Sequence, residues 1–279
     1  MRKTILILSL LALTGLSQMN VKAQDTLVRM KSNATEVELL LHCTPNTATV
    51  EVNGVPILSG SAETIPVNGD STVFITINNN ARLTQLLCSY NQLSQLDVSN
   101  NTELWTLYCQ ANSLTALDVS NNTALTALWS SSNQLTKLDV SNNTALQTLY
   151  CYDNQLTELD VTNNTALSYL SAYGQQIEVP ILSGATTFSN PVFYKTPAGE
   201  QTVQIAGAWY AYQYDVPITG NTISFTTNLP AGVTYGTAFG GTITFVESTS
   251  IAETETNTIN LYPSTGQLRI TEQGKYRDI

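Results

Sequence analysis

The chain has 279 residues, 42% of them apolar, enough to bury a continuous core and enough to exclude a disordered chain. Acidic residues outnumber basic ones 21 to 11, for a formal charge of -10. That balance excludes the basic stripe a nucleic-acid binder needs, and it argues equally against an anionic membrane surface.

The first element is an export leader. Arg2 and Lys3 precede an apolar run from Ile5 to Leu16, and Val21, Lys22 and Ala23 follow a polar stretch. This charged, apolar, small-residue order predicts a signal peptide over 1–23. The run is too short for the ~20 apolar residues of a membrane span, so the expectation is a secreted or cell-surface protein with no membrane insertion.

Residues 24–82 predict a β-rich N-terminal cap. Thr49 to Val52 alternate, and turns are signalled at Asn53–Gly54 and Asn68–Gly69. Residues Val73 to Leu83 already match the second half of the unit that follows.

From Leu83 the chain repeats every 21 residues. Leu83, Leu104, Leu125, Leu146 and Leu167 stand in phase, with the pattern LxxLxCxxNxLxxLDVSNNTA between them. Such self-similarity predicts stacked coils over 83–179, each touching only its neighbours, with one short parallel strand per coil. In Leu107, Tyr108, Cys109 and Gln110 the alternation sends Leu and Cys inward and the residues between them outward. Cys88, Cys109 and Cys151 share a position where Ser130 and Ala172 stand in other coils, which predicts a small buried slot and free thiols instead of disulfides. Asn91, Asn112, Asn133 and Asn154 form a column whose amides can satisfy buried peptide groups. Asp97, Asp118, Asp139 and Asp160 form another. Each precedes a turn whose N–H groups it can accept, and this local chemistry is preferred over calcium binding.

The outward positions of the repeat carry many rings. Tyr108, Trp129 and Tyr150 form one row, Tyr152 and Tyr173 belong to the next, and Tyr90, Trp105 and Tyr169 lie nearby. Tyr and Trp offer large contact area at small entropic cost, so these eight residues are the expected binding surface. The partner expected is a protein on a host or bacterial surface, with a glycan as the alternative. No catalytic residue, metal ligand set or cofactor is expected: His42 is the only histidine, and no zinc-type ligand pair or phosphate-cradling glycine loop occurs.

Residues 180–247 exchange leucine and asparagine for tyrosine, threonine and glycine. Strand-like runs such as Thr222 to Thr227 and Thr242 to Val246 predict a small β-sandwich. Residues 248–279 begin as a Ser, Thr and Glu linker.

The repeat, with cysteine in its sixth place and LDVSNNT in phase, resembles the bacterial leucine-rich repeat family, especially the cysteine-type repeats of internalin J-like surface proteins. The resemblance covers residues 73–179. It implies a β-rich solenoid flanked by β caps and the small β-sandwich, possibly immunoglobulin-like in fold, and a protein that binds host or bacterial partners through its concave face. Tyr262, Pro263, Ser264, Thr265, Gly266, Gln267 and Leu268 resemble the opening of the sorting domain of the type IX secretion system of Bacteroidetes, which implies a truncated sorting-like tail.

Overall fold

The structure is a computed structural model that describes residues 26–44, 50–57, 59–60, 62–67, 71–77, 82–182, 185–233, 235–248, 269–272 and 275–278. The expected leader at 1–23 and the segment Tyr262 to Leu268 lie outside these residues. Every regular element described is a strand. Among the described residues no helix is long and apolar enough to cross a membrane.

The organising element is one eight-stranded sheet. Strands Arg82–Leu87, Thr106–Tyr108, Ala127–Trp129, Thr148–Tyr150 and Tyr169–Ser171 lie side by side and parallel. Their register is the sequence period itself: Leu86 faces Leu107, then Leu128, Leu149 and Leu170, and all five are fully buried. Each leucine sealed in this way contributes about 2 kcal/mol of burial, so a slip of one residue, which would turn every leucine outward, is strongly disfavoured.

Amides stitch the coils together. Asn112 Oδ1 accepts the N–H of Leu93 in the preceding coil at 3.0 Å, while its Nδ2 donates to Cys88 O in that coil and to Cys109 O in its own, both at 3.0 Å. Asn133 and Asn154 repeat the arrangement one coil further on each time. Gln175, which departs from the asparagine pattern, does the same work with its longer arm, accepting from Leu156 N and donating to Cys151 O and Ala172 O at 2.9 Å. The residue before each amide sits in the left-handed region: Tyr90, Ala111, Ser132 and Asp153 have φ of 61°, 55°, 52° and 51°. That conformation costs on the order of 1 kcal/mol per residue and turns the chain so that the amide points inward.

A second amide column lies under the next turn. Asn122, Asn143 and Asn164 are buried, and each Nδ2 donates to two carbonyls of the coil before, Val98 O and Asn101 O in the case of Asn122, at 2.9 and 2.8 Å. On the outside of that turn, Asp97, Asp118, Asp139 and Asp160 each accept the N–H two residues ahead at 2.9–3.0 Å. The aspartates therefore shape turns. Among the described residues no three His, Cys, Asp or Glu side chains converge to hold a metal ion.

The cap grips the first coil on two sides. Thr26–Ser32 runs antiparallel to Leu93–Asp97, and Glu36–Thr44 runs antiparallel to Arg82–Leu87. Asn91 extends the amide ladder into the cap, accepting from Glu38 N and donating to Glu38 O at 2.7 Å. At the other end, residues in the stretch expected as a small β-sandwich lay one strand along each of three sides of the last coil. Phe193–Thr196 pairs with Glu158–Asp160, Tyr235–Thr237 with Tyr169–Ser171, and Gly240–Ser248 with Gln175–Leu182, all parallel. The boundary that composition suggests at 179 falls inside strand Gln175–Leu182. Gly236 takes the register of the leucines because a Cβ there would collide with the Leu170 carbonyl. A single buried cluster runs from Val28 to Ile243, so cap, repeats and this region share one core.

The cysteines are free and buried. Desolvation pushes the Cys109 and Cys151 thiols up to about 12 and Cys43 up to about 11, which keeps them neutral and unreactive.

Two expectations follow. Asn133→Ala leaves Leu114 N unpaired and strips one of two amide donors from each of Cys109 O and Ser130 O, which Asn112 and Asn154 still reach, and is expected to cost about 2 kcal/mol in urea unfolding. Asn133→Asp is expected to be at least as damaging at neutral pH and to recover part of the loss on acidification; a loss below about 1 kcal/mol in both variants contradicts the ladder. The second concerns pH. Hydrogen bonds from the following serine, side chain first and backbone second, hold Asp97, Asp118 and Asp139 below the ordinary carboxyl value of 3.8. A carboxyl lowered on folding adds stability above its unfolded value and loses it as pH falls through the folded value. The melting temperature of the native protein is therefore expected to fall more steeply with acidification below 3.8 than that of the triple variant Asp97→Asn, Asp118→Asn, Asp139→Asn. Parallel curves contradict the turn bonds.

Candidate binding face

The outward side of the parallel strands is the face where Tyr108, Trp129 and Tyr150 meet in register. Their leucine neighbours on each strand point into the core, so strand alternation alone delivers these rings to the surface. The rings do not stand apart. Tyr108 and Trp129 stack at 4.1 Å between centroids with planes 15° apart, Trp129 and Tyr150 lie 4.7 Å apart at 52°, and Tyr150 and Tyr169 stack at 4.8 Å and 22°. Tyr152 meets Tyr150 edge-on at 6.2 Å.

Tyr169 is not in register with Tyr150. Ser171 holds that place, and its small side chain leaves the space into which Tyr169 stacks diagonally. A hydrogen bond with Tyr169, followed by desolvation, pushes the Tyr150 phenol up to about 12, so it stays a neutral hydroxyl. Trp129 Nε1 is buried and unpaired, and so is Gln110 Oε1.

Of the eight residues expected to form the surface, the structure brings five into one ring network: Tyr108, Trp129, Tyr150, Tyr152 and Tyr169. The other three are more exposed and touch no ring of the described residues. Tyr90 is 78% exposed at its left-handed turn, Trp105 is 44% exposed where its coil enters the strand, and Tyr173 is 52% exposed one coil beyond Tyr152. Within the network, Trp129 and Tyr150 each have a ring on both sides. What they offer a partner is chiefly ring edges and, from Tyr150, a hydroxyl group.

The repeat-based reading passed over a second set of exposed rings. Trp209, Tyr212 and Tyr214 are 49%, 40% and 66% exposed, and Tyr235 is 70% exposed. The signal was present in the alternation of Tyr210, Tyr212 and Tyr214 after Trp209, but it lies outside the 21-residue unit.

No family model and no curated protein matches the chain. Among solved structures it is similar to the functional domain of InlJ from Listeria monocytogenes, described as including a cysteine ladder. The identity is 20%, with 60% of this chain and 62% of that one covered and a TM-score of 0.21, so the chain spans less than two thirds of that domain. It is also similar to a structure of CBM51-2 in complex with GlcNAc and INT domains from Clostridium perfringens ZmpB, at 11% identity, with 80% of this chain and 70% of that one covered and a TM-score of 0.28. Neither superposition is close.

The ring stack yields an expectation about stability. Trp129→Ala removes the ring between Tyr108 and Tyr150 and is expected to cost about 3 kcal/mol in chemical unfolding. Trp129→Phe keeps a ring and removes the unpaired N–H, and is expected to cost less than about 1 kcal/mol. Equal losses in the two variants contradict a role for stacking.

Proposed function

We propose that this chain is an exported leucine-rich repeat protein of solenoid form that binds a protein partner on a host or bacterial surface through its stacked-ring face, in adhesion or host interaction. The observation that carries the reading is the covered state of the ladder. A pyranose packs its C–H face on an open aromatic face, whereas Trp129 and Tyr150 are each flanked by two rings, one stacked and one tilted at 52°. Half-buried ring edges beside phenol hydroxyls suit the mixed apolar and hydrogen-bonding contacts of a protein interface.

A binding role without catalysis is part of the same proposal. His42, the only histidine, lies in strand Glu36–Thr44, which strand Arg82–Leu87 separates from the strand that carries Tyr108. The four buried thiols are too strongly desolvated to serve as nucleophiles. Export rests on the leader-like order of residues 1–23, and surface display on the sorting-like segment Tyr262 to Leu268.

The test is a pull-down from host-cell and bacterial extracts, comparing native protein with the variant Tyr108→Ala, Trp129→Ala, Tyr150→Ala, with each protein's fold checked by circular dichroism. A protein retained by the native chain and lost by the variant is expected. Retention of the same proteins by both forms contradicts the reading.

A further inference from the structure

A second face of the molecule sets two exposed rings, Trp209 and Tyr173, beside polar groups. The sheet formed by Gln175–Leu182, Gly240–Ser248, Thr222–Thr226, Val203–Ile205 and Ala208–Tyr210 buries Val203, Ile205, Ile223, Phe225 and Ile243 on one side. Its other side therefore receives Gln204, Ser224 and Thr226. The register aligns one row across four strands: Trp209 opposite Gln204, Gln204 opposite Thr226, and Thr226 opposite Gly240.

Each end of the row carries an aromatic ring. Trp209 is 49% exposed, and no ring of the described residues covers it. At the far end the Tyr173 ring lies beside Gly240, where a Cβ would meet the Phe225 carbonyl at 2.8 Å and Tyr173 Cδ2 at 3.1 Å, so glycine keeps this end of the row free of a side chain. On this face an open cleft of 330 Å³ has Tyr173, Gln204, Ala206, Gly207, Ser224 and Thr226 among its walls, and Trp209 stands beyond Gln204 in the row, outside the cleft itself. Strands lie ~4.8 Å apart, so the row from Trp209 to Gly240 spans about 14 Å.

We infer that this cleft binds a neutral saccharide chain, with sugar rings on Tyr173 and Trp209 and the amide of Gln204 and the hydroxyls of Ser224 and Thr226 directed at sugar hydroxyls. Charge selects the ligand. The chain carries a formal charge of -10, yet no Asp, Glu, Lys, Arg or His lines the cleft. Such a site rewards hydroxyl groups and has nothing to pair with a carboxylate, sulfate or ammonium. The turn between the two outermost strands holds the floor open: Ala206 and Gly207 have φ of 49° and 87°, the form of a two-residue hairpin, and a side chain at 207 would meet nothing within 4 Å.

The site is separate from the stacked-ring ladder, and its test does not depend on that reading. The full chain is applied to an array of immobilised neutral, sialylated and sulfated oligosaccharides, and hits are titrated by following tryptophan fluorescence. Binding to neutral glycans is expected. Trp209→Ala and Gln204→Ala should each weaken it by about tenfold or more, while Tyr108→Ala leaves it unchanged. Trp209 is exposed, so its replacement should leave the fold intact, and Gln204→Ala supplies a second variant if it does not. No binding to any neutral glycan, binding to charged glycans alone, or neutral binding unaffected by both variants overturns the inference.

Discussion

Each coil of this protein has one side-chain amide that bonds two coils at once, and the rest of the structure depends on it. The short strands satisfy only part of the backbone; the carbonyls at the sixth repeat position, such as Cys88 O and Cys109 O, turn inward where neither water nor a strand partner reaches them. Asn112 Nδ2 meets both, and its Oδ1 takes Leu93 N. Leaving such groups unpaired costs about 1–3 kcal/mol apiece, as much as one leucine's burial returns. The ladder begins in the cap at Glu38 and ends at Gln175, so it also joins the repeats to the regions on either side.

The ring face is a consequence of this order. Amides fix the register, the register puts leucine inside, and alternation then sets Tyr108, Trp129 and Tyr150 one above another at strand spacing. At that distance the rings pack on one another, stacked for Tyr108 and Trp129 and tilted for Trp129 and Tyr150, and the inner rings are left with chiefly edges to offer a partner. The rings at Trp209 and Tyr173, set at opposite ends of a polar row, stand apart from the stack and stay exposed.

Much of this is legible in the sequence because the repeat is local. The leucine register, the inward asparagines, the aspartate turns and the small cysteine slot follow from residues a few positions apart. The second amide column was less visible. Asn122 and Asn143 read as one half of an Asn-Asn-Thr turn, and only the coil geometry shows that one asparagine of each pair points outward and the other is buried. Gln175 breaks the asparagine pattern in the sequence, yet its longer side chain reaches the equivalent carbonyls. The region after 180 was hardest to read, because its strands pair with the last coil across long stretches of chain. Nothing in the local text of Tyr235, Gly236 and Thr237 says that they continue the leucine register. That Gly236 must lack a side chain there is evident only once the Leu170 carbonyl is in place.

The central claim is that one amide ladder makes cap and coils a single cooperative unit. Backbone hydrogen exchange at Glu38, Leu93, Leu114, Leu135 and Leu156, whose N–H groups all bond to ladder amides, tests it most directly. The account predicts that these amides exchange together, at the rate of global unfolding. Early exchange at Glu38, or a graded loss of protection from one coil to the next, would contradict it.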